Sequence, residues 1–98
     1  MFYILWQFDV EDAHAAAFAE AYGPAGPWEA LFRQGDGFRG TEVFRRTAAP
    51  ARFLTLDNWT SRGAYEGFRR ERASDYAALD AVCDGLTVRE TFLAAWEG

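Results

Sequence analysis

The clearest acid–base chemistry in this chain belongs to one aspartate. Asp57 lies in segment 52–59, whose period-two pattern predicts a β-strand, and it shares one face of that strand with Phe53 and Trp59. A carboxylate removed from water among apolar side chains has a raised pKa and can act as a general base. The alternative is a structural role in which Asp57 pairs with an arginine, and such residues more often do so.

The residues that follow this strand could bind a ligand or fill the core. Ser61 predicts the N-cap of a helix, and Tyr65 and Phe68 begin the apolar stripe of that helix. Trp59 and Tyr65 could border a pocket, although aromatic residues at such a junction more often pack in the core. Arg69 could hold an anionic ligand, although a solvated helix face is the simpler interpretation.

The composition of the chain excludes several kinds of chemistry. All ten basic residues are arginine, so a Schiff-base lysine mechanism is excluded. Cys83 and His14 are the single cysteine and histidine, which rules out an internal disulfide and argues against a metal site. We expect Cys83 to be a buried structural thiol and His14 to be exposed on a helix. The net charge of −5 argues against nucleic acid and anionic membranes as partners.

A glycine motif at 35–40 matches G-x-G-x-x-G but lacks the context of a dinucleotide site. Such a site requires a strand before the glycines and a helix after them, and here the predicted order is helix and then strand. We interpret Gly35 as a helix stop and Gly40 as a bulge or close approach in a strand. The sequence therefore predicts no cofactor and no metal.

The elements that position these residues alternate between strand and helix periodicity. Strands are predicted at 2–10, 38–47, 52–59 and within 86–96, with a loop at 48–51. Helices are predicted at 12–22 with Asp12 as the cap, at 27–34 with Pro27 in the first position, and from Ser61 to a stop at Gly85, with a break at 73–75. Segment 91–96 could equally be a helical tail. In the last strand, the apolar residues Leu86, Val88, Phe92 and Trp96 are predicted to share one face.

This order of elements is the split βαβ pattern of a ferredoxin-like α+β sandwich in a single domain, 1–98. The first strand is apolar on both faces, with Phe2, Ile4 and Phe8 on one and Tyr3 and Leu5 on the other. Because the main helices cover only one face of such a sheet, we expect a homodimer joined sheet to sheet. With no apolar run at the N-terminus long enough for a signal or membrane segment, we expect a cytoplasmic protein and no membrane partner.

The order of elements, the length and the run Leu56-Asp57-Asn58-Trp59, followed by Ser61, Ala64 and Tyr65, resemble the antibiotic biosynthesis monooxygenase family. The resemblance implies a dimeric α+β barrel with a pocket between the sheet and the helices of each subunit. In the cofactor-free members, oxygen reacts directly with a deprotonated, electron-rich aromatic substrate such as an anthrone. The chain departs from the pattern at 68–70, where many relatives carry a histidine and this chain reads Phe-Arg-Arg. The haem-degrading branch uses an Asn, Trp, His set, of which only Trp59 is matched, so haem degradation is disfavoured.

The resemblance implies that Trp59 and Tyr65 help to bind the substrate. Together with the residue patterns above, we predict catalytic roles for Trp59, Tyr65 and Asp57, and substrate-binding roles for Asn58, Phe68 and Arg69. The resemblance implies a cofactor-independent monooxygenase that acts on an aromatic or polyketide-like small molecule. The alternative is a dimer of the same fold that binds a small molecule or has a structural role without catalysis.

Overall fold

A computed structural model describes residues 1–46 and 51–98 of the chain. The strands are β1 (Phe2–Asp9), β2 (Phe38–Arg45), β3 (Arg52–Trp59) and β4 (Arg89–Glu97). The helices are α1 (Ala15–Tyr22), α2 (Pro27–Phe32), α3 (Arg62–Glu71) and α4 (Ala73–Cys83), with short 3₁₀ turns at Asp12–His14 and Asp84–Leu86. The predicted end of the second strand at Thr47 and the loop at 48–50 lie outside the described residues.

The four strands form one antiparallel sheet in the order β2-β3-β1-β4. The first strand therefore lies between the third and the fourth, which are its two hydrogen-bonded neighbours, and the β2–β3 hairpin adds the opposite edge. With its helices, this arrangement confirms the predicted ferredoxin-like α+β fold.

Residues alternate between the two faces of the sheet as predicted. On β1, Phe2, Ile4 and Phe8 are buried, and on β3 every second residue from Phe53 to Trp59 is buried. This face packs against the helices, and Phe18 of α1 has no exposed surface. The core therefore lies in one layer between the sheet and the helices.

Helix capping follows the sequence at one helix and departs from it at another. The Ser61 side chain accepts a hydrogen bond of 3.0 Å from the backbone N–H of Ala64, which confirms the predicted N-cap of α3. Asp12 was predicted to cap the first helix, and this was wrong. Its Oδ1 instead accepts a 3.2 Å hydrogen bond from the backbone N–H of Ala51, because the approach of the two segments supplies a donor from a distant part of the chain.

The helical segment after β3 is interrupted one residue before the predicted break. Arg72 lies between α3 and α4 with φ −113° and ψ 24°, outside helical geometry, and α4 begins at Ala73 without a side-chain cap. At the other end, α4 stops at Cys83, and the predicted stop residue Gly85 lies inside a 3₁₀ turn. Tightening of the last turn into 3₁₀ geometry ends the helix here.

The last strand corrects a prediction about side-chain direction. Trp6 pairs with Phe92, whereas Tyr3 pairs with Trp96, and the register shifts between these pairs. The shift inserts one extra residue into β4, so Phe92 and Trp96 point to opposite faces instead of sharing one. Segment 91–96 is strand, which decides against the helical tail.

Gly40 is an irregular position in β2, as its sequence context indicated. The register of β2 against β3 shifts between Phe38 and Gly40, and Gly40 has a φ of +144° that favours glycine. The irregularity sets the register beyond it, so that Thr41 lies directly opposite Asp57.

Candidate functional site

A cavity lies between the sheet and the helices, and the buried aspartate is in its wall. It opens to solvent and has a volume of about 70 Å³. This is smaller than the roughly 300–1,000 Å³ of most small-molecule sites, so the cavity has room for only part of a small aromatic molecule. The lining residues are Trp6, Phe8, Tyr22, Trp28, Phe32, Thr41, Thr55, Asp57, Tyr76, Asp80 and Glu90.

The aromatic wall of the cavity is assembled from separate helices. Pro27 begins α2, since its fixed φ suits the first helical position, and places Trp28 in the first turn. The Trp28 ring meets the ring of Tyr76 from α4 edge-on at 5.0 Å between centroids and stacks on Tyr22 from α1 at 5.7 Å. Such contacts hold the rings in place, so the wall can present flat apolar surface to a planar ligand.

The carboxyl group of Asp57 is the main acid–base group in this wall. Burial raises its pKa from 3.8 to about 6, because few waters remain to stabilise the charge, while a hydrogen bond from Thr41 opposes the rise. Thr41 Oγ1 donates that bond to Oδ1 at 2.7 Å. The ion pair considered as an alternative for Asp57 is not found among the described residues, whose salt bridges involve other carboxylates.

The second carboxylate oxygen of Asp57, Oδ2, accepts no hydrogen bond within residues 1–46 and 51–98, and it is not among the buried polar atoms that lack a partner. Oδ2 can therefore meet a ligand in the cavity. A base with its pKa near 6 is ionised at neutral pH and can accept a proton from such a ligand.

Two tyrosines share the cavity wall with Asp57. Burial raises the pKa of Tyr22 well above its ordinary value, with the nearby Cys83 as the next cause. Burial also raises the pKa of Tyr76 to about 12, although the charge of Arg69 opposes the rise. Both phenols are neutral at physiological pH and can donate hydrogen bonds, but they cannot act as bases.

The described residues contain no group of three or more His, Cys, Asp or Glu side chains that could hold a metal ion. Over the same ranges, no helix is long and apolar enough to cross a membrane. His14 is exposed and Cys83 is buried, as predicted. Burial raises the pKa of the Cys83 thiol, which disfavours a reactive thiolate at this position.

The family model for the antibiotic biosynthesis monooxygenases matches residues 1–78, most of the chain. The chain belongs to this family. The match ends inside α4, so the last strand lies beyond the matched residues. No curated protein matches the chain.

Solved structures of the same fold share little sequence with this monooxygenase-family protein. One from Nitrosomonas europaea, named for antibiotic biosynthesis monooxygenases, is 14% identical over 100% of this chain and 98% of its own, with a TM-score of 0.72. One of similar name from Deinococcus radiodurans is 19% identical over 100% and 92%, with a TM-score of 0.73. A mutant of SnoaB, a cofactor-independent oxygenase from Streptomyces nogalater, is 15% identical over 99% and 91%, with a TM-score of 0.74. At these identities the likeness establishes the fold alone.

The six predicted site residues lie in different surroundings. Asp57 lines the cavity, and the other five do not. Trp59 has no exposed surface and packs among aromatic rings, with centroids 5.5 Å from Tyr65 and 5.1 Å from Phe68. Asn58 follows Asp57 on β3 and points to the opposite face of the sheet. The aromatic cluster thus stands at the end of β3 beyond the cavity.

Arg69 contacts a cavity residue without lining the cavity. Its guanidinium donates a 2.9 Å hydrogen bond to the hydroxyl of Tyr65 and lies 3.9 Å from the centroid of the Tyr76 ring. This stacking restrains Tyr76 and favours one ring orientation. Arg69 can therefore influence the cavity through Tyr76.

The sequence interpretation missed most of the cavity wall. Trp28 and Tyr76 lie in apolar stripes at helical spacing in the sequence, a pattern that does not distinguish a pocket wall from core. Thr41 could have been found, because a hairpin pairs each residue of one strand with a defined residue of the other. The necessary register depends on the bulge at Gly40, which the sequence suggested but could not place exactly.

Proposed function

We propose that the protein is a cofactor-independent oxygenase that acts on an aromatic or polyketide-like small molecule with an acidic C–H or O–H group. The observation that carries the proposal is Asp57, a carboxyl group with a pKa of about 6 that faces an aromatic-lined cavity. Family membership supports oxygen as the second substrate. SnoaB, which shares the fold, is a cofactor-independent oxygenase.

In the proposed reaction, Asp57 removes a proton from the bound substrate. The aromatic wall at Trp28 and Tyr76 holds the ring, so that the acidic group lies against the free carboxylate oxygen. The Tyr22 and Tyr76 hydroxyls can donate hydrogen bonds to a substrate oxygen on which negative charge develops. The resulting anion is electron-rich and can pass an electron to molecular oxygen.

The overall reaction balances without an external reductant. For an anthrone-type substrate, a ring CH₂ group and one O₂ become a ring C=O group and one H₂O. The substrate carbon loses four electrons, and these reduce both oxygen atoms, one retained in the product and one released as water. The chain's own groups then have only to bind the substrate, remove the proton and keep out bulk water.

The roles of the remaining predicted residues stay proposals. Trp59 and Phe68 pack behind the end of β3, and Tyr65 connects this cluster to Arg69. Direct contact between these rings and a substrate requires a larger opening than the cavity provides. Oxygen uptake measured in Trp59→Phe and Tyr65→Phe variants tests their catalytic assignment, and unchanged rates would assign both residues to the core.

We also propose a homodimer in which the open faces of two sheets meet. The face of the sheet away from the helices is largely apolar: Tyr3 stacks on Trp96 at 5.7 Å, Leu54 and Leu56 are half-buried, and Phe44 is 47% exposed. An apolar face of this kind is typical of a subunit interface. Multi-angle light scattering at micromolar concentration should give twice the chain mass, and a monomer would contradict this proposal.

Oxygen uptake with an anthrone tests the catalytic proposal directly. We expect Asp57→Asn to lower kcat by about 10²–10⁴-fold, because the amide cannot accept the proton. The wild-type rate should rise with pH through about 6 as the carboxyl group ionises. Asp36→Asn makes the same chemical change at an exposed position outside the cavity and is the matched control. Equal rates in wild type and Asp57→Asn would overturn the assignment of Asp57.

A further inference from the structure

The cavity carries more negative charge than proton abstraction needs. Asp80 of α4 and Glu90 of β4 line it together with Asp57, and both are exposed, so they mark its opening to solvent. Among the lining residues that the structure describes, none is basic. A ligand that enters therefore passes two carboxylates before it reaches the third.

The carboxylates at the opening act on one another. Burial raises the pKa of Glu90, and the charges of Asp80 and Asp84 raise it further. None of the ion pairs found in 1–46 and 51–98 involves Asp80 or Glu90. One cation approaches from outside the cavity wall, since Arg69 stacks on the Tyr76 ring at 3.9 Å. The opening remains a region where a positive charge is attracted and a negative charge is repelled.

Two features of the cavity indicate an aromatic ligand with a positive charge. The first is the aromatic wall, because the Trp28 and Tyr76 rings can pack against a ligand ring. The second is the lining charge, because Asp57, Asp80 and Glu90 are present and no described lining residue is basic. A metal ion fits less well, since the described residues provide no cluster of ligating side chains.

We propose that this cavity selects aromatic small molecules that carry a protonated amine and discriminates against those that carry a carboxylate. The ring lies against Trp28 and Tyr76, and the ammonium group lies at the opening beside Asp80 and Glu90. The inference rests on the proposed function in that it takes the same cavity as the substrate site. It adds the charge of the substrate, which the proton-transfer chemistry leaves open.

Three ligands that share a phenol ring and a two-carbon arm test this selectivity. Tyramine carries an ammonium group, 4-ethylphenol is neutral, and 3-(4-hydroxyphenyl)propanoate carries a carboxylate. In calorimetric titrations at pH 7.5 and low salt, tyramine should bind about tenfold more tightly than the propanoate, with 4-ethylphenol between them. Raising the salt to about 0.5 M should reduce this ratio, because exposed charges are screened.

Variants at the opening identify the source of the preference. Asp80→Asn and Glu90→Gln should each lower the tyramine-to-propanoate affinity ratio several-fold and leave the affinity for 4-ethylphenol nearly unchanged. Asp75→Asn, on the same helix but outside the cavity wall, is the matched control and should keep the wild-type ratio.

Three outcomes would overturn the inference: equal or tighter binding of the propanoate, a ratio unchanged by both variants, or no saturable binding of any of the three ligands. The proposed function has its own readout. If oxygen uptake depends on Asp57 but amines are not preferred, this inference is wrong and the proposed function stands. If amines are preferred but Asp57→Asn does not change oxygen uptake, Asp57 is not the base and the proposed binding site stands.

Discussion

Replacing Asp57 by asparagine should make the protein more stable at neutral pH. In the unfolded chain this carboxyl group has its ordinary pKa of 3.8, and burial raises the value to about 6 in the folded protein. Between these two values the folded state keeps a proton that the unfolded state has lost. The free energy of unfolding therefore falls as the pH rises from about 4 to about 6, and the loss is complete at higher pH.

The size of the effect follows from the same two pKa values. The gap between 3.8 and about 6 corresponds to about 3 kcal/mol of stability lost by pH 8. Asparagine has almost the same shape, and its Oδ1 can still accept the 2.7 Å hydrogen bond from Thr41. We therefore expect nearly equal stability of the two proteins near pH 4 and an advantage of about 3 kcal/mol for Asp57→Asn at pH 8, with Tm roughly 15 °C higher.

Urea denaturation between pH 4 and pH 8 measures this directly. Protein concentration must be held constant, because the stability of the proposed dimer would depend on it, and equal m-values show that the comparison is valid. Asp36→Asn makes the same chemical change at an exposed site and measures what that change does by itself at each pH. Parallel stability curves for wild type and Asp57→Asn would refute the reasoning, since they would mean that Asp57 titrates alike in the folded and unfolded states.

Three further variants test the core, a cap and a close approach. Phe18→Ala should lower the free energy of unfolding, measured by urea denaturation, by about 3–5 kcal/mol. The reason is that Phe18 has no exposed surface and packs on Phe8, Tyr22 and Phe53. A loss below about 1 kcal/mol would contradict its place in the core. Ser61→Ala should lower the free energy of unfolding by about 0.5–2 kcal/mol, because it removes the N-cap of α3. Ser74→Ala removes no cap and should lower it by less. Equal effects of the two substitutions would contradict the stabilising role of the cap. Gly37→Ala should be destabilising, because an added Cβ would lie 2.4 Å from the Cβ of Ala64, and a wild-type Tm in the variant would show that α3 can shift freely.

Much of the fold follows from local pattern. The alternation from Phe53 to Trp59 predicted both the strand and its buried face, since successive side chains of a strand point to opposite sides. Ser61 predicted the start of α3, because its hydroxyl needs only a backbone N–H three residues later. These features depend on neighbours within a few positions, and the residues themselves supply all of the partners.

The predictions that were wrong concern features whose partners lie far away in the chain. Asp12 had the right residue type for a cap, but the backbone N–H of Ala51 lies against it in the folded protein. The register shift in β4 places Phe92 and Trp96 on opposite faces of the sheet. The strand keeps its pairing with β1 on both sides of the extra residue, so the alternation of side chains is broken there.

In the candidate site, too, local features could be predicted from the sequence and long-range features could not. Asp57 was recognised from its type and its place on a buried strand face, because one carboxyl group among apolar neighbours is a local pattern. The cavity between the sheet and the helices was expected only from the family resemblance, and most of its wall could not be recognised from the residues, since α1, α2, α4 and β4 each contribute one part of it. Local pattern therefore identified the buried carboxyl group whose pKa burial raises. The packing of distant helices on the sheet determined that this residue, and not Trp59, faces an open space, because a void exists only where separate elements fail to fill the volume between them.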